Sequence, residues 1–239
     1  MGKIDTSDIY SADFQKNLFN EMSQTYGLVN CISSFGFNYL WRKKCLDNAK
    51  IMDGDLVCDM MAGMGEMGLI IRNNIQKLVC VDYSEEMVDR LRKNMDSVKF
   101  KSEIHLDNIF NINFEPKTFD KVICSFGIKT LKVEDRKKLV RLMINIIKDN
   151  GIISIMEFKV PKNIIIRVPW ILYVRWIIPF VGMLFMGNSN NYRMLYTYAR
   201  KYEHDGMLEF VNNDPTIIVE SYSLHFGSAI NYVIRKNIS

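Results

Sequence analysis

The chain has 239 residues, 48% of them hydrophobic, which is enough to bury a full α/β core as a single domain spanning residues 1–239. Its formal net charge of +4, with Lys and Arg scattered along the sequence, argues against a dedicated nucleic-acid surface and allows only a weak attraction to anionic membranes. Five cysteines (Cys31, Cys45, Cys58, Cys80, Cys124) form no CxxC pair and three fall in predicted strands, so they read as small buried residues of a reducing, cytoplasmic compartment rather than a disulfide framework.

At the N-terminus no basic region precedes an apolar stretch, so no secretory signal is expected. Met1–Thr6 fits the loose N-myristoylation pattern, which is short enough to match by chance. Residues 11 to 25 carry Phe14, Leu18, Phe19 and Met22 at helical spacing behind Ser11 as a cap, and Leu28 to Leu46 gives a second helical region interrupted at Ser33-Ser34-Phe35-Gly36. Both precede the first strand, so residues 1–50 read as a helical cap.

The next segment is the most specific. Val57 to Glu66 reads as a buried strand followed by a turn of small residues, and the chain then runs through a helix to a second strand closed by Asp82. Ala62, Gly63 and Gly65 let the backbone approach a ligand, and the glycines accept positive φ. Asp82 lies 17 residues after Gly65, where a carboxylate that binds ribose hydroxyls is expected, with Tyr83 directly after it. Glu66 stands where a pyrophosphate would need bare amides, so an anionic ligand is repelled. A cationic nucleoside is not, which favours S-adenosylmethionine over NAD.

From Leu56 onward strands are predicted at 55–59, 78–82, 101–106, 119–124 and 151–157, with helices near 66–75, 84–95 and 133–149. Two late runs, 216–223 and 228–235, predict a closing hairpin. This is an α/β, Rossmann-like, doubly wound and mostly parallel seven-stranded sheet, the outline of class I methyltransferases, with a helical lid or insertion at 160–212 before the last strands. Within that insertion, Ile164 to Gly187 includes Trp170, Trp176, Phe180, Leu184 and Phe185. Arg167, Arg175, Pro169 and Pro179 argue against a membrane-spanning helix. A pair of helices is expected instead, closing over the carboxyl edge of the sheet; its apolar face lines a pocket, lies against a bilayer, or is the core of the insertion.

Several short motifs keep a common order: Tyr26-Gly27-Leu28-Val29-Asn30, Ser34-Phe35-Gly36, Trp41-Arg42, the glycine turn, Ser125-Phe126-Gly127-Ile128-Lys129, Glu157-Phe158 and Tyr192-Arg193. Together, over about residues 14 to 235, they resemble the ubiquinone and menaquinone C-methyltransferases. The resemblance implies S-adenosylmethionine as cofactor, methyl transfer to a ring carbon of a prenylated quinol precursor, and a homodimer. It also implies that Asp59, Ala62, Gly63 and Gly65 pack against the methionine moiety, with Asp82 as the acid after the second strand. Asn108, preceded by Asp107, becomes the adenine-side polar residue, Ser125 borders cofactor and acceptor, and Tyr26 belongs to an N-terminal lid.

The chain departs from that family at two points. Lys129 stands where an arginine near the acceptor is expected, which removes a planar fork of donors, and Tyr26-Gly27 replaces Tyr-Asp. A related secondary metabolite as acceptor, and even O- or N-methylation, therefore stay open.

A C-methylation must release a ring proton, so one modest base near the ring would help. His225, in Leu224-His225-Phe226-Gly227, is the candidate base, Lys129 a candidate contact to the acceptor's oxygen, and Glu157 a group to orient acceptor or solvent. Each has a plain structural alternative: a half-buried hairpin histidine, a solvated lysine, a capping glutamate. His105 and His204 read as structural or solvated, and no metal is called for, because the histidines lack ligand spacing. Two other functions remain in view: a cyclase or rearrangement enzyme that retains its S-adenosylmethionine, and a non-catalytic accessory protein docking on a membrane through the Trp-rich segment. For the enzyme readings the partner is a hydrophobic aromatic small molecule, with peripheral membrane contact through 164–187 allowed.

Overall fold

The structure, a computed structural model, describes the backbone of residues 8–33, 36–184, 194, 197–202, 208, 211 and 214–237, and their side chains except those of residues 8, 24–33 and 182. Met1–Thr6, Ser34-Phe35, Tyr192-Arg193 and His204 lie outside the described residues, as do the side chains of Tyr26 and Cys31.

Seven strands form one sheet: β1 (Leu56–Met60), β2 (Lys77–Asp82), β3 (Lys101–Leu106), β4 (Phe119–Ser125), β5 (Ile147–Phe158), β6 (Ile217–Leu224) and β7 (Ala229–Lys236). They lie in the order β3-β2-β1-β4-β5-β7-β6. β1 to β5 are mutually parallel, and β7 runs antiparallel between β5 and β6. Strands covered on both faces carry continuous apolar runs, and Val57, Cys58 and Met60 of β1 are fully buried. At the β3 edge the exposed faces are charged instead, with Lys77 and Glu103 paired across strands at 2.8 Å, which blunts edge-to-edge association.

The helices are α1 (Ala12–Ser33), α2 (Phe37–Ala49), α3 (Glu66–Ile70), α4 (Glu85–Met95), α5 (Val133–Ile146), α6 (Ile164–Leu172) and α7 (Ile178–Leu184). One helix of the cap differs from the sequence expectation: α1 runs unbroken through Gly27 to Ser33, whereas the interruption expected at residues 33–36 is present, with Gly36 at a φ of 78° that glycine adopts at no steric cost. α3 spans only five residues rather than ten. α4 behaves as its sequence promises: Ser84 Oγ accepts from the Met87 N–H at 3.3 Å, Glu85 and Glu86 face the helix N-terminus, and Arg92 and Lys93 the C-terminus.

Within the insertion, Ile164–Leu184 is one continuous irregular helix where the sequence predicts a pair of helices. A π-helical stretch, Tyr173–Ile177, joins α6 to α7 without a turn, because Leu172 and Ile178 both keep right-handed helical dihedrals. Its inner residues Ile178 and Val181 pack on a cluster that includes Leu18 and Met22 of α1 and Ile9 in the turn before it.

The strand order reverses at β1, with β2 on one side and β4 on the other. Crevices for ligands open at such a point, outside the carboxyl ends of the strands.

Candidate functional site

At that crevice the chain leaves β1 and β4 through two strained turns. Met61 and Phe126 both hold φ near 59°, a conformation that costs a bulky residue of order 1–3 kcal/mol and recurs at functional sites. The turns nearly touch, since a Cβ on Gly127 would fall 2.8 Å from Met61 Cβ. Between them opens a cleft of about 490 Å³ whose floor is Ala62, Gly63 and Asp82 and whose walls include Glu66, Ser125, Phe126 and Phe19. It continues into a second opening of about 800 Å³, bordered by Asp107, Asn108, Phe110 and Asp135, with Met61, Asp82 and Tyr83 shared by both.

Asp82 organises the floor. Its Oδ2 accepts from the Gly63 N–H at 2.8 Å, and its Oδ1 from the Ser84 N–H at 3.0 Å. Burial pushes its carboxyl above the usual range, although these backbone donors pull the other way, and the group stays half-buried at the cleft surface. Gly63 has φ 56°, and a Cβ there would meet only the Glu66 carboxylate, so its side of the cleft is open. Gly65 serves packing: a Cβ there would strike Leu91 Cδ1 at 2.4 Å and Met95 Cε at 2.9 Å, and the residue does not line the cleft.

Asp59 lies behind the floor. It is fully buried, and neither carboxylate oxygen has a hydrogen-bond partner among the described residues. Burial first, then the nearby Glu66 carboxylate, raises its pKa well above the usual carboxylate value, with Arg42 opposing. Arg42 pairs with Glu66 at 3.0 Å and lies 5.1 Å over the Phe126 ring. Arg42 therefore offsets Glu66, Asp59 is held toward its neutral form, and Asp82 leaves a carboxylate at the cleft surface, an arrangement that fits a cationic ligand better than an anionic one.

α1 closes the cleft from above. Gln15 donates to the Thr130 carbonyl at 2.6 Å and accepts from the Tyr83 hydroxyl at 3.0 Å, bridging the loops after β4 and β2. Asn20 Oδ1 accepts from Ser84 Oγ at 2.6 Å, and Lys16 pairs with Glu85 at 2.8 Å.

The sequence-derived residues divide accordingly. Ala62, Gly63, Asp82, Tyr83, Asp107, Asn108 and Ser125 border the two openings; Asp59 and Gly65 support them from behind. Lys129 is neither solvated nor presented to the cleft. Its ammonium is buried 3.1 Å from Glu157 Oε1, donates to the Phe126 carbonyl, and sits 5.4 Å from the Phe158 ring centroid. Glu157 Oε2 accepts the Lys129 backbone N–H at 3.0 Å and Oε1 the Phe158 N–H at 2.7 Å, so this carboxylate is committed to the protein interior. His225 also stands off the cleft: its Nδ1 accepts from Trp41 Nε1, and its ring lies 4.3 Å from Phe37. That lone pair is engaged, so the placement makes His225 a support for Trp41 rather than a free base.

Sequence reasoning missed Gln15, Phe19, Phe126 and Asp135 as site residues and took Arg42 only as part of a motif. A signal existed for Gln15. It sits one helical turn before Phe19, amid the apolar stripe of α1, where a polar residue needs a partner.

Comparison with known proteins adds to this geometry. Residues 8–234 match the family model described as the ubiE/COQ5 methyltransferase family. The chain is 24% identical over 212 residues to a demethylmenaquinone methyltransferase of Desulfitobacterium hafniense (strain Y51), covering 87% of this chain and 80% of that one. A demethylmenaquinone methyltransferase of Bacillus cereus (strain AH187) is 26% identical over 200 residues, covering 82% and 83%. Among solved structures, the DhpI–SAH complex superposes with a TM-score of 0.63 at 9% identity, over 94% of this chain and 96% of that one. Phosphoethanolamine N-methyltransferase 1 of Haemonchus contortus, bound to phosphoethanolamine and S-adenosylhomocysteine, superposes with a TM-score of 0.52 at 12% identity, over 67% and 35%. At such identities these structures show the shared fold alone.

Proposed function

The chain belongs to the ubiE/COQ5 methyltransferase family and is an S-adenosylmethionine-dependent methyltransferase, and from that premise we propose that it C-methylates a hydrophobic phenol or quinol. The observation that carries the reading is the two-part cleft: carboxylates on its floor, aromatic and apolar groups on its wall, and Arg42, the one guanidinium lining it among the described residues, already bound to Glu66.

When bound, S-adenosylmethionine supplies an electrophilic methyl group on a sulfonium. The residues named here supply position and environment. Asp82, half-buried at the end of β2, would accept hydrogen bonds from ribose hydroxyls in addition to its backbone donors. Ala62 and Gly63 leave room beside the methionine portion, while Asp107, Asn108 and Asp135 offer polar contacts to the base. Glu66 and Asp82 favour a positive charge at the cleft floor, with the protonated Asp59 behind them. Ser125, Phe126 and Phe19 form the acceptor wall, and α1 with Gln15 and Tyr83 excludes water so that donor and acceptor carbon are held in line. The acceptor's ring carbon would take the methyl group of bound S-adenosylmethionine, leaving S-adenosylhomocysteine, and the ring proton would pass to a cleft carboxylate or to solvent.

Lys129 and Glu157 act in this scheme as positioning residues that hold Phe126 and Phe158, and His225 positions Trp41. The Arg-to-Lys difference then changes the packing under the acceptor wall rather than a direct acceptor contact. The proposal places the enzyme in the cytoplasm with its insertion at the membrane edge, where an apolar acceptor resides, and it does not require a homodimer.

The test is to incubate the purified protein with S-adenosylmethionine and a series of phenols and quinols, reading S-adenosylhomocysteine and a one-methyl mass gain on a ring carbon. Cofactor binding with no product from any phenol or quinol refutes the acceptor class. Turnover without loss of the methyl donor would replace methyl transfer with a rearrangement.

A further inference from the structure

Charge is distributed very unevenly along the chain. Residues 158–202 contain seven Lys or Arg and no Asp or Glu, against a formal net charge of +4 for the whole, so the remainder is net acidic. Four of these cations, Lys159, Lys162, Arg167 and Arg200, line one open groove of about 1110 Å³ at the base of α6, over an apolar floor that includes Val168 and Ile171. No ion pair among the described residues involves any of the four.

The surface beside this groove is apolar and in water. Ile165 is 78% exposed, and Leu172, Trp176, Phe180 and Leu184 follow it along the outer face of α6 and α7. The stretch Ile164–Val181 is long and apolar enough to cross a membrane, yet only 11% of it is buried in the protein. A second element joins it. Phe226, 83% exposed, sits at the tip of the β6–β7 turn on three consecutive positive-φ residues, His225, Phe226 and Gly227, and a Cβ on Gly227 would lie 3.7 Å from Pro161 Cα, just before α6.

We propose that this face docks on a bilayer of anionic phospholipid, with the Lys159–Lys162–Arg167–Arg200 groove taking lipid phosphates and the outer face of α6–α7, together with Phe226, entering the headgroup boundary. The charge selects this occupant: cations with no ion pair among the described residues, flanking an apolar helix that carries Trp, are what an anionic interface attracts. Spanning is excluded by Arg167 and Arg175 within the helix and by the packing of Ile178 and Val181 on α1. Because α1 also carries Gln15 over the cleft, docking sets the lid and the acceptor wall at the membrane where an apolar acceptor resides. The inference rests on the acceptor reading above and deepens it by naming the partner.

The experiment is co-sedimentation of the full chain with phosphatidylcholine vesicles and with phosphatidylcholine vesicles doped with phosphatidylglycerol. Binding is expected only to the anionic vesicles, weakening as salt rises. Lys162→Glu with Arg167→Glu is expected to lower it at least about tenfold, and Ile165→Ser with Trp176→Ser to abolish it, while calorimetric affinity for S-adenosylmethionine stays unchanged in both variants. Absence of wild-type binding to anionic vesicles, equal binding to neutral ones, or wild-type binding by the charge-reversed variant overturns the proposal. So does a dimer in sedimentation equilibrium that Ile165→Ser dissociates, since the face then belongs to a second copy. Methylation of a water-soluble phenol without vesicles separates the two readings: product with no vesicle binding leaves the acceptor class standing and removes the docking, and vesicle binding with no product does the reverse.

Discussion

Around β1, β2 and β4 the chain takes ionisable groups out of water and pairs nearly all of them: Arg42 with Glu66, Lys129 with Glu157, Asp82 with two backbone amides. Along α6 and α7 it does the opposite, leaving isoleucine, tryptophan and phenylalanine in solvent, beside a groove whose four cations have no ion pair among the described residues. Both regions lie toward the carboxyl edge of the sheet. The first region's charges are committed to holding a shape, so altering one should damage the fold or the site. The second region's groups make few contacts inside the protein, so altering them should leave the fold intact and change only what the protein touches.

The sharpest way to break this comparison is to measure stability on both sides. Lys129→Ala leaves Glu157 as a buried, unpaired carboxylate and is expected to cost about 3–5 kcal/mol in chemical denaturation. Ile165→Ser, at a site 78% exposed, is expected to stay within about 0.5 kcal/mol of the parent. Comparable losses from the two would show that the insertion helix is part of the core. Within the cleft, Asp82→Ala removes the acceptor proposed for two ribose hydroxyls; at roughly 1.5–3 kcal/mol for a charge-assisted bond, S-adenosylmethionine affinity should fall on the order of a hundredfold in calorimetry. Unchanged affinity would move the cofactor elsewhere. Gln15→Ala loses the bridge between Thr130 and Tyr83, worth about 1–2 kcal/mol locally. Faster amide exchange along α1 with little change in global stability is the expected signature; unchanged exchange would deny α1 the role of a lid.

Strands and cleft floor were legible because they follow from local chemistry. Apolar runs ended by Asp82 and Ser125, and the small residues Ala62 and Gly63, announce themselves at fixed spacing. The catalytic candidates were not legible in the same way. Lys129, His225 and Glu157 carry the right functional groups, but whether a side chain turns inward is decided by partners 28 or 184 residues away. The strained Met61 and Phe126 turns gave no signal either, since both are residue types for which positive φ is unexpected. In the insertion, the Trp-rich composition was visible, but its continuity through a π-helical stretch and its one-sided exposure depend on packing against α1.

The smallest expected effect is the one that links the cleft's electrostatics to its ligand. Asp59 is fully buried without hydrogen-bond partners, and its pKa is raised well above the usual carboxylate value, first by burial and then by Glu66. The folded protein therefore keeps a proton that the unfolded chain releases. Relative to an unperturbed carboxyl, that stabilisation is present below the ordinary carboxylate pKa and declines as pH rises from there toward the raised value. A cation bound against Glu66 and Asp82 favours the ionised form of Asp59, so binding should expel the proton and affinity for S-adenosylmethionine should rise with pH across that window. Calorimetry in buffers of different ionisation enthalpy reads the proton release directly. In Asp59→Asn the release should fall and the pH dependence of affinity should weaken, the remainder belonging to Asp82. If Asp59→Asn keeps the full pH dependence, the proton comes from another group, and the carboxylates behind the floor do not sense the charge of the ligand in front of it.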